Sequence, residues 1–209
     1  MPAIRKNNKG FRLLLEFWSR YCQLDASHIA WVGSRVRVVR VKRGQVLHRA
    51  GERQRMVFFV CEGILARVNY VEYNDRIKRT ITSIALPHFA LTSTSHLYSR
   101  TPIGGDIVAL RSGTVVEIPY GAILSLKETE QAVDTLSNIL INRKKRQLET
   151  YLKVIHSTSP FQRYLLFDQL MPEIRRVTNQ NEQADYLGIS RRTVQEASYF
   201  LLTGERPRK

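Results

Sequence analysis

The chain has 209 residues, 43% of them hydrophobic, and carries 33 Lys and Arg against 18 Asp and Glu, a formal net charge of +15. With only 11 Gly and 7 Pro it is neither a collagen-like repeat nor low-complexity disorder, and two Cys are too few for a disulfide framework, a four-thiolate iron–sulfur cluster or a Cys-rich zinc site. No apolar run approaches the roughly 20 residues of a membrane span, and the basic start Met1–Gly10 lacks the apolar core of a signal peptide. A cytoplasmic protein with no membrane partner is expected, and the charge points to a polyanion, nucleic acid first.

In chain order, residues 11–32 read as helical, with Leu13, Leu14, Phe17, Trp18 and Tyr21 at helical spacing. Ala26 to Val32 forms a second short helix, with Asp25 or Ser27 as its N-cap. From Arg35 the pattern alternates, Val36, Val38 and Val41 being interleaved with Arg37, Arg40 and Lys42. Short β-type runs follow at Gln45–Arg49, Met56–Cys61, Ile64–Val71, Arg79–Ala85, Gly105–Leu110 and Thr114–Pro119. Turn signals separate them, including Cys61-Glu62-Gly63, Tyr73-Asn74-Asp75 and Arg111-Ser112-Gly113. Many short, evenly spaced strands predict an antiparallel barrel or jelly roll.

Residues 128–156 contain no Gly or Pro, room for a helix of roughly 40 Å. Val133, Leu136, Leu140, Leu148, Tyr151, Leu152 and Ile155 trace an apolar stripe, interrupted by Arg143-Lys144-Lys145-Arg146. A long helix with one such stripe usually finds a partner, most simply its own copy across a two-fold axis. The alternative is a helix packed wholly against its own barrel. Beyond Ser157, Pro160 suits a first helical position with Ser159 as N-cap, and the helix Phe161–Leu170 closes at Met171-Pro172.

Residues 180–202 have the spacing of a helix-turn-helix. Ala184 is small where a second helix crosses, Gly188 supplies a positive φ for the turn, and Leu187, Ile189 and Val194 are apolar where the helices pack. Ser190 is a natural N-cap, and Arg191, Arg192, Gln195 and Glu196 project from the turns that meet base edges. Thr193, Arg206, Arg208 and Lys209 are expected on phosphates. Gln183 stands where this motif is usually apolar; it either snorkels outward or shifts the packing of the first helix.

Strand barrel, long helix and compact helix-turn-helix, in that order, resemble the Crp/Fnr family of transcription regulators over about residues 15–202. Val41-Lys42-Arg43-Gly44 through Gly51-Glu52 is similar to that family's first strand pair. Val57 through Gly63 and Ala109 through Pro119 are similar to its next strand and closing strands. Phe161-Gln162-Arg163-Tyr164-Leu165 through Ser190 is similar to a Bacteroidetes-type branch with a short DNA-binding domain. The resemblance implies an α+β fold: an N-terminal antiparallel β-roll or jelly roll, like a cyclic-nucleotide-binding domain, over residues 1–125; a dimerisation helix over 126–156; and an all-α helix-turn-helix domain over 157–209. It implies a homodimer on double-stranded DNA, with RNA polymerase as a further partner.

Two departures bear on that expectation. Counting back from Ala109, the family's phosphate-binding Arg falls on Ile103, and the accompanying Glu is absent. Ile cannot form the bidentate charge-assisted pair a cyclic phosphate needs, so cyclic AMP is disfavoured. Thr92, Ser93, Thr94, Ser95 and Arg100 are left as candidate lining for another, unknown small-molecule effector, and no cofactor is identified. In the recognition helix, Arg191 keeps the family type, whereas Arg192 and Glu196 invert the family's Glu and Arg. Since Arg pairs best with guanine and Glu with the cytosine amino group, the operator should differ from the usual one.

His28, His48, His88, His96 and His156 are scattered singly, which argues against a cupin-type metal site. Cys61 lies in an apolar strand and reads as inert; Cys22, near Arg20, is the better redox candidate. No phosphate-binding loop, nucleophile elbow or nucleophile–base spacing points to an enzyme. The charge is uneven: residues 1–125 hold 19 Lys and Arg against 8 Asp and Glu, a net of +11, and residues 126–209 hold 14 against 10, a net of +4. This motivates an alternative, a β-roll scaffold that binds an anion or ligand and does not act through DNA.

Overall fold

A computed structural model describes residues 8–73, 76–94, 99–127, 131–157 and 159–205. The expected turn at Asn74-Asp75, the first residues of the 128–156 helix, and Ser95 and His96 lie outside the described residues, as do Arg206, Arg208 and Lys209. Contacts divide the chain into two units. One takes the residues up to Val68 with Ile84–Lys144; the other takes Asn69–Ser83 with the residues from Lys145 onward.

The first unit opens with α1 (Lys9–Ser19) and α2 (Ala26–Arg35). The break that the sequence pattern left open falls at Asp25, whose carboxylate accepts from the Ser27 and His28 amides and caps α2. The strands are β1 (Arg37–Val41), β2 (Val46–His48), β3 (Met56–Tyr73), β4 (Arg76–Ala85), β5 (Ala90–Thr92) and β6 (Asp106–Pro119). The sheet order is β1-β6-β3-β4, with β2 on β6 and β5 on β3. The pairings of β6 with β1, β2 and β3, and of β3 with β5, are antiparallel.

Along β3 the side chains alternate between two cores. Val57, Phe59 and Cys61 face α1, α2, α3 (Tyr120–Lys127) and the start of α4 (Gln131–Ile155), whereas Phe58 and Val60 face the inside of the roll with Leu91, Ile107 and Val115. Burial on both faces explains why the run 57–61 is continuously apolar. The Cys61 thiol donates to the Gly10 carbonyl at 3.4 Å, and burial, with Glu62 beside it, pushes its pKa up to about 12. Burial also raises the Cys22 thiol, so neither Cys is activated as a thiolate. No helix among the described residues is long and apolar enough to cross a membrane.

Three expectations need correction. Cys61-Glu62-Gly63 and Arg111-Ser112-Gly113 are not turns between separate strands. β3 and β6 each run through, and their mutual register shifts between Val60 and Leu65. The glycines are there because the two backbones nearly touch: a Cβ on Gly113 would stand 2.0 Å from the Glu62 carbonyl oxygen and 2.6 Å from the Gly63 nitrogen. Secondly, α3 and β5 stand where no element was expected. Thirdly, Val133, Leu136 and Leu140 are not on a free stripe. The first two are buried, and Leu140 packs on them, in the core shared with α1. Trp18 Nε1 donates to the Ala132 carbonyl at 2.8 Å across the same contact.

The basic run in α4 also faces inward at its start. Arg143 lies 5.2 Å over the Phe17 ring, and Lys144 Nζ donates to the Ile84 carbonyl at 3.1 Å. Burial, and secondarily the charge of Arg67, lowers the Lys144 pKa from 10.5 to about 7. In that window the unfolded chain holds the proton and the folded chain has released it, so this residue's contribution to stability rises with pH from about 7 to about 10.5. Urea unfolding of the wild type and of Lys144→Met across that range should show their difference changing in this direction; a constant difference would contradict it. Gly113→Ala should lower stability by at least the roughly 1–3 kcal/mol of an overpacked core. Gly104→Ala, which has open space around it, should change it by less than about 0.5 kcal/mol.

Candidate nucleic-acid interface

The second unit is built on α5 (Pro160–Leu170), α6 (Pro172–Val177), α7 (Gln180–Leu187) and α8 (Arg191–Thr203), with the end of α4 and the outer part of the β3–β4 hairpin. Its helices start where short polar side chains can cap them. The Ser159 hydroxyl accepts from the Gln162 amide, and Asn179 and Glu182 accept reciprocally from each other's backbone N–H at 2.9 Å. Ser190 accepts from the Thr193 amide at 3.0 Å, and its hydroxyl lies 2.8 Å from that of Thr193. α6 was not expected; Met171-Pro172 closes α5 and opens this further turn of helix.

Gly188 ends α7 in the left-handed region, at φ 65°. Its amide and that of Ile189 both donate to the Ala184 carbonyl. This close turn brings α8 across α7, and Ala184, Leu187, Val194 and Ala197 are buried, as are Tyr164 and Phe167 of α5. Ile189 is half-buried at the turn. Two side chains complete the end of α7: Arg163 Nη1 and the Tyr151 hydroxyl donate to the carbonyls of Leu187 and Tyr186, at 3.0 and 2.9 Å. Tyr151 also stacks on Tyr186, with ring centroids 4.5 Å apart. Tyr151, expected on the dimer stripe, is thus engaged inside its own chain.

Gln183 does not snorkel outward. It is buried, its Nε2 donates to the carbonyls of Arg175 (3.0 Å) and Thr178 (2.9 Å), and its Oε1 accepts from the Tyr164 hydroxyl at 3.1 Å. Ser198 on α8 donates to that same hydroxyl at 2.8 Å. One amide therefore joins α5, the end of α6, α7 and, through Tyr164, α8. The hairpin reaches α7 as well: Arg79 Nη1 lies 3.6 Å from Asp185 Oδ2. Burial raises the Asp185 pKa above the usual carboxylate value, and Arg79 opposes that shift.

The outward face of α8 carries Arg191, Arg192 and Gln195, all exposed, with Glu196 and Thr193 half-buried beside them. Arg192 Nε donates to Glu196 Oε1 at 2.7 Å, and Gln195 Nε2 to Gln180 Oε1 at 3.5 Å. Tyr199, 46% exposed, extends this face by one turn and was missed; its spacing of four from Gln195 was the available signal. On α4 the exposed apolar residues are Ile141, Leu148 and Leu152, with Ile155 half-buried. Their steps of seven, four and three residues are those of a coiled-coil seam. The exposed apolar stripe of α4 thus holds Ile141, Leu148 and Leu152 with the half-buried Ile155, whereas Val133, Leu136, Leu140 and Tyr151 are engaged within the chain.

In the first unit, three of the expected effector residues, Thr92, Ser93 and Thr94, make hydrogen bonds within the roll. Thr92 donates to the Thr94 carbonyl at 2.8 Å, Ser93 bridges Met56 and Gln54, and Thr94 donates to the Tyr120 hydroxyl at 2.8 Å. Arg67 donates to the Thr92 carbonyl, Arg100 is exposed, and Ile103 pairs its amide with Ser93 at 3.0 Å. Among the described residues no three His, Cys, Asp or Glu are grouped to hold a metal ion.

No protein-family model matches the chain, and no curated protein matches it. Solved structures share its fold. A cyclic nucleotide-binding domain containing protein from Listeria monocytogenes superposes with a TM-score of 0.67 at 18% identity, covering 94% of this chain and 92% of that one. FixK2 from Bradyrhizobium japonicum gives 0.64 at 17% identity, covering 81% and 86%. A CRP-family transcriptional regulator from Thermus thermophilus gives 0.61 at 15%, covering 79% and 85%. The α+β fold is therefore that of Crp/Fnr-type regulators, as the sequence motifs implied.

Stability of the α8 platform should depend on the buried amide. Gln183→Leu leaves the Tyr164 hydroxyl and two carbonyls without their partner, and should cost at least roughly 1–3 kcal/mol. In urea unfolding, Tyr164→Phe combined with Gln183→Leu should cost less than the sum of the single changes; strict additivity would show that the two groups are not coupled.

Proposed function

We propose that this chain is a dimeric, sequence-specific DNA-binding transcription regulator of the Crp/Fnr type. The observation that carries the proposal is the face of α8. A capped helix is held by its buried side on α5 and α7, and it presents Arg191, Arg192 and Gln195 outward. Those side chains are the ones that pair with guanine and adenine edges in a major groove. The first two amides of α8, those of Arg191 and Arg192, and the Thr193 side chain suit the flanking phosphates. The fold shared with CRP-family regulators supports the same reading.

Ile141, Leu148, Leu152 and Ile155 of α4 supply the face for a second copy. Two copies would present two α8 helices to half-sites about 34 Å apart, one turn of duplex. The roll is not read as a cyclic AMP receptor, because Ile103 stands where a phosphate would need a cation. The hydroxyls of Thr92, Ser93 and Thr94 serve the roll's own hydrogen bonds, so they do not identify an effector.

Binding to duplex DNA, followed by fluorescence anisotropy, should weaken linearly on a log–log plot against salt concentration. Arg191→Ala with Gln195→Ala should reduce affinity for the preferred sequence by roughly tenfold or more. Unchanged binding would move the DNA surface away from α8, towards the basic first unit. Leu148→Glu with Leu152→Glu should shift the sedimenting species from dimer to monomer and weaken DNA binding with it. Ile29→Glu, an exposed apolar residue on α2, should leave the assembly unchanged.

A further inference from the structure

We infer that Glu196 acts on DNA sequence through Arg192, as a positioning residue, and reads no base of its own. The inference rests on the DNA-reading role proposed for α8. Arg192 and Glu196 stand one helical turn apart and are joined by a hydrogen bond of 2.7 Å from Nε to Oε1. The pair is solvent-exposed, at 79% and 38% of side-chain surface. An exposed ion pair of this kind contributes little to folding, so its use lies elsewhere.

Geometry supplies that use. The guanidinium is planar, and its Nε–H is occupied by Glu196. The remaining fork, Nη1 and Nη2, is then fixed in one plane, and it is the edge that matches O6 and N7 of guanine. Arg192 stands nearer the start of α8 and is the more exposed of the two, so it reaches a base edge first. Charge leads to the same assignment. An unpaired carboxylate on this face would lose its hydration among phosphates and be repelled by them. Held against Arg192, its charge is cancelled locally, and the pair strengthens as the groove excludes water. The inverted order of charges in this recognition helix therefore makes one reading unit from two residues.

The test measures affinity for a duplex selected by the wild type from random sequence, and for each of its single base-pair variants. The proteins are the full-length wild type, Arg192→Ala, Glu196→Ala, Glu196→Gln and the double Arg192→Ala with Glu196→Ala. All three substitutions are on exposed or half-exposed side chains, and circular dichroism checks that each of the four variants is folded. The wild type should prefer guanine at one position by roughly tenfold to a hundredfold. Arg192→Ala and Glu196→Ala should relax that same position, and the double variant should lose no more than Arg192→Ala alone. Glu196→Gln, which keeps an acceptor oxygen, should retain the guanine preference. Relaxation at a different base pair by Glu196→Ala, with additive losses, would mean that Glu196 reads its own base and would overturn the inference. Full guanine preference in Glu196→Ala would overturn it too. Failure of the wild type to select any sequence would instead overturn the role of α8 itself.

Discussion

A buried primary amide has two N–H donors and a carbonyl acceptor, and leaving any of them without a partner away from water is costly. At Gln183 all of them are used: the two donors on carbonyls at the end of α6, the acceptor on the Tyr164 hydroxyl of α5, which in turn accepts from Ser198 on α8. An apolar side chain could fill the same volume in many rotations. The amide is satisfied in one, so it ties α5, α6 and α7 in a single arrangement, to which α8 is joined through Tyr164. Gly188 sets the turn and Ser190 the first residue of α8, and the direction of that helix presents Arg191, Arg192 and Gln195 on one outward face, the face proposed to read DNA.

The first unit is organised by a comparable constraint, one of space. β3 and β6 run the length of the roll and approach most closely where Gly113 meets Glu62 and Gly63. The register shift there lets each strand continue, so that the alternate side chains of β3 fill two cores. Much of the basic charge of this unit stays exposed around the strands, at Arg37, Arg40, Lys42, Arg43, Arg49 and Arg53. The uneven charge is therefore a surface property of the roll, and only a small part of it accounts for the α8 face. Arg67, Arg143 and Lys144 are exceptions, since they turn inward onto carbonyls or an aromatic ring.

What could be read from the sequence was what depends on neighbours in the chain. Asp25, Ser159 and Ser190 cap the next turn of their own helices, and Gly188 adopts a φ that few residues accept. Each of these signals is local. What could not be read depends on residues far away. Gly63 and Gly113 look like turn glycines until their strands lie side by side. The apolar positions of α4 belong to two faces, one toward α1 and one outward, and their periodicity does not say which. Tyr151 was spaced like a stripe residue, yet its ring is held by Tyr186. The hydroxyls of Thr92 to Thr94 resembled ligand contacts because a polar side chain carries no mark of the backbone group it will meet. Gln183 was conspicuous as a polar residue at an apolar position, and that anomaly marked the centre of the hydrogen-bonded network.

The central claim is that two copies of α8 read one symmetric duplex. Sequencing the duplexes that the full-length protein retains from a random pool, at physiological salt, tests it most directly. The account predicts a two-fold symmetric pattern whose half-sites are centred one helical turn apart, about 10 base pairs. An asymmetric single half-site would contradict the dimer. Retention without sequence preference would contradict the reading helix and leave a basic protein that holds DNA by charge alone.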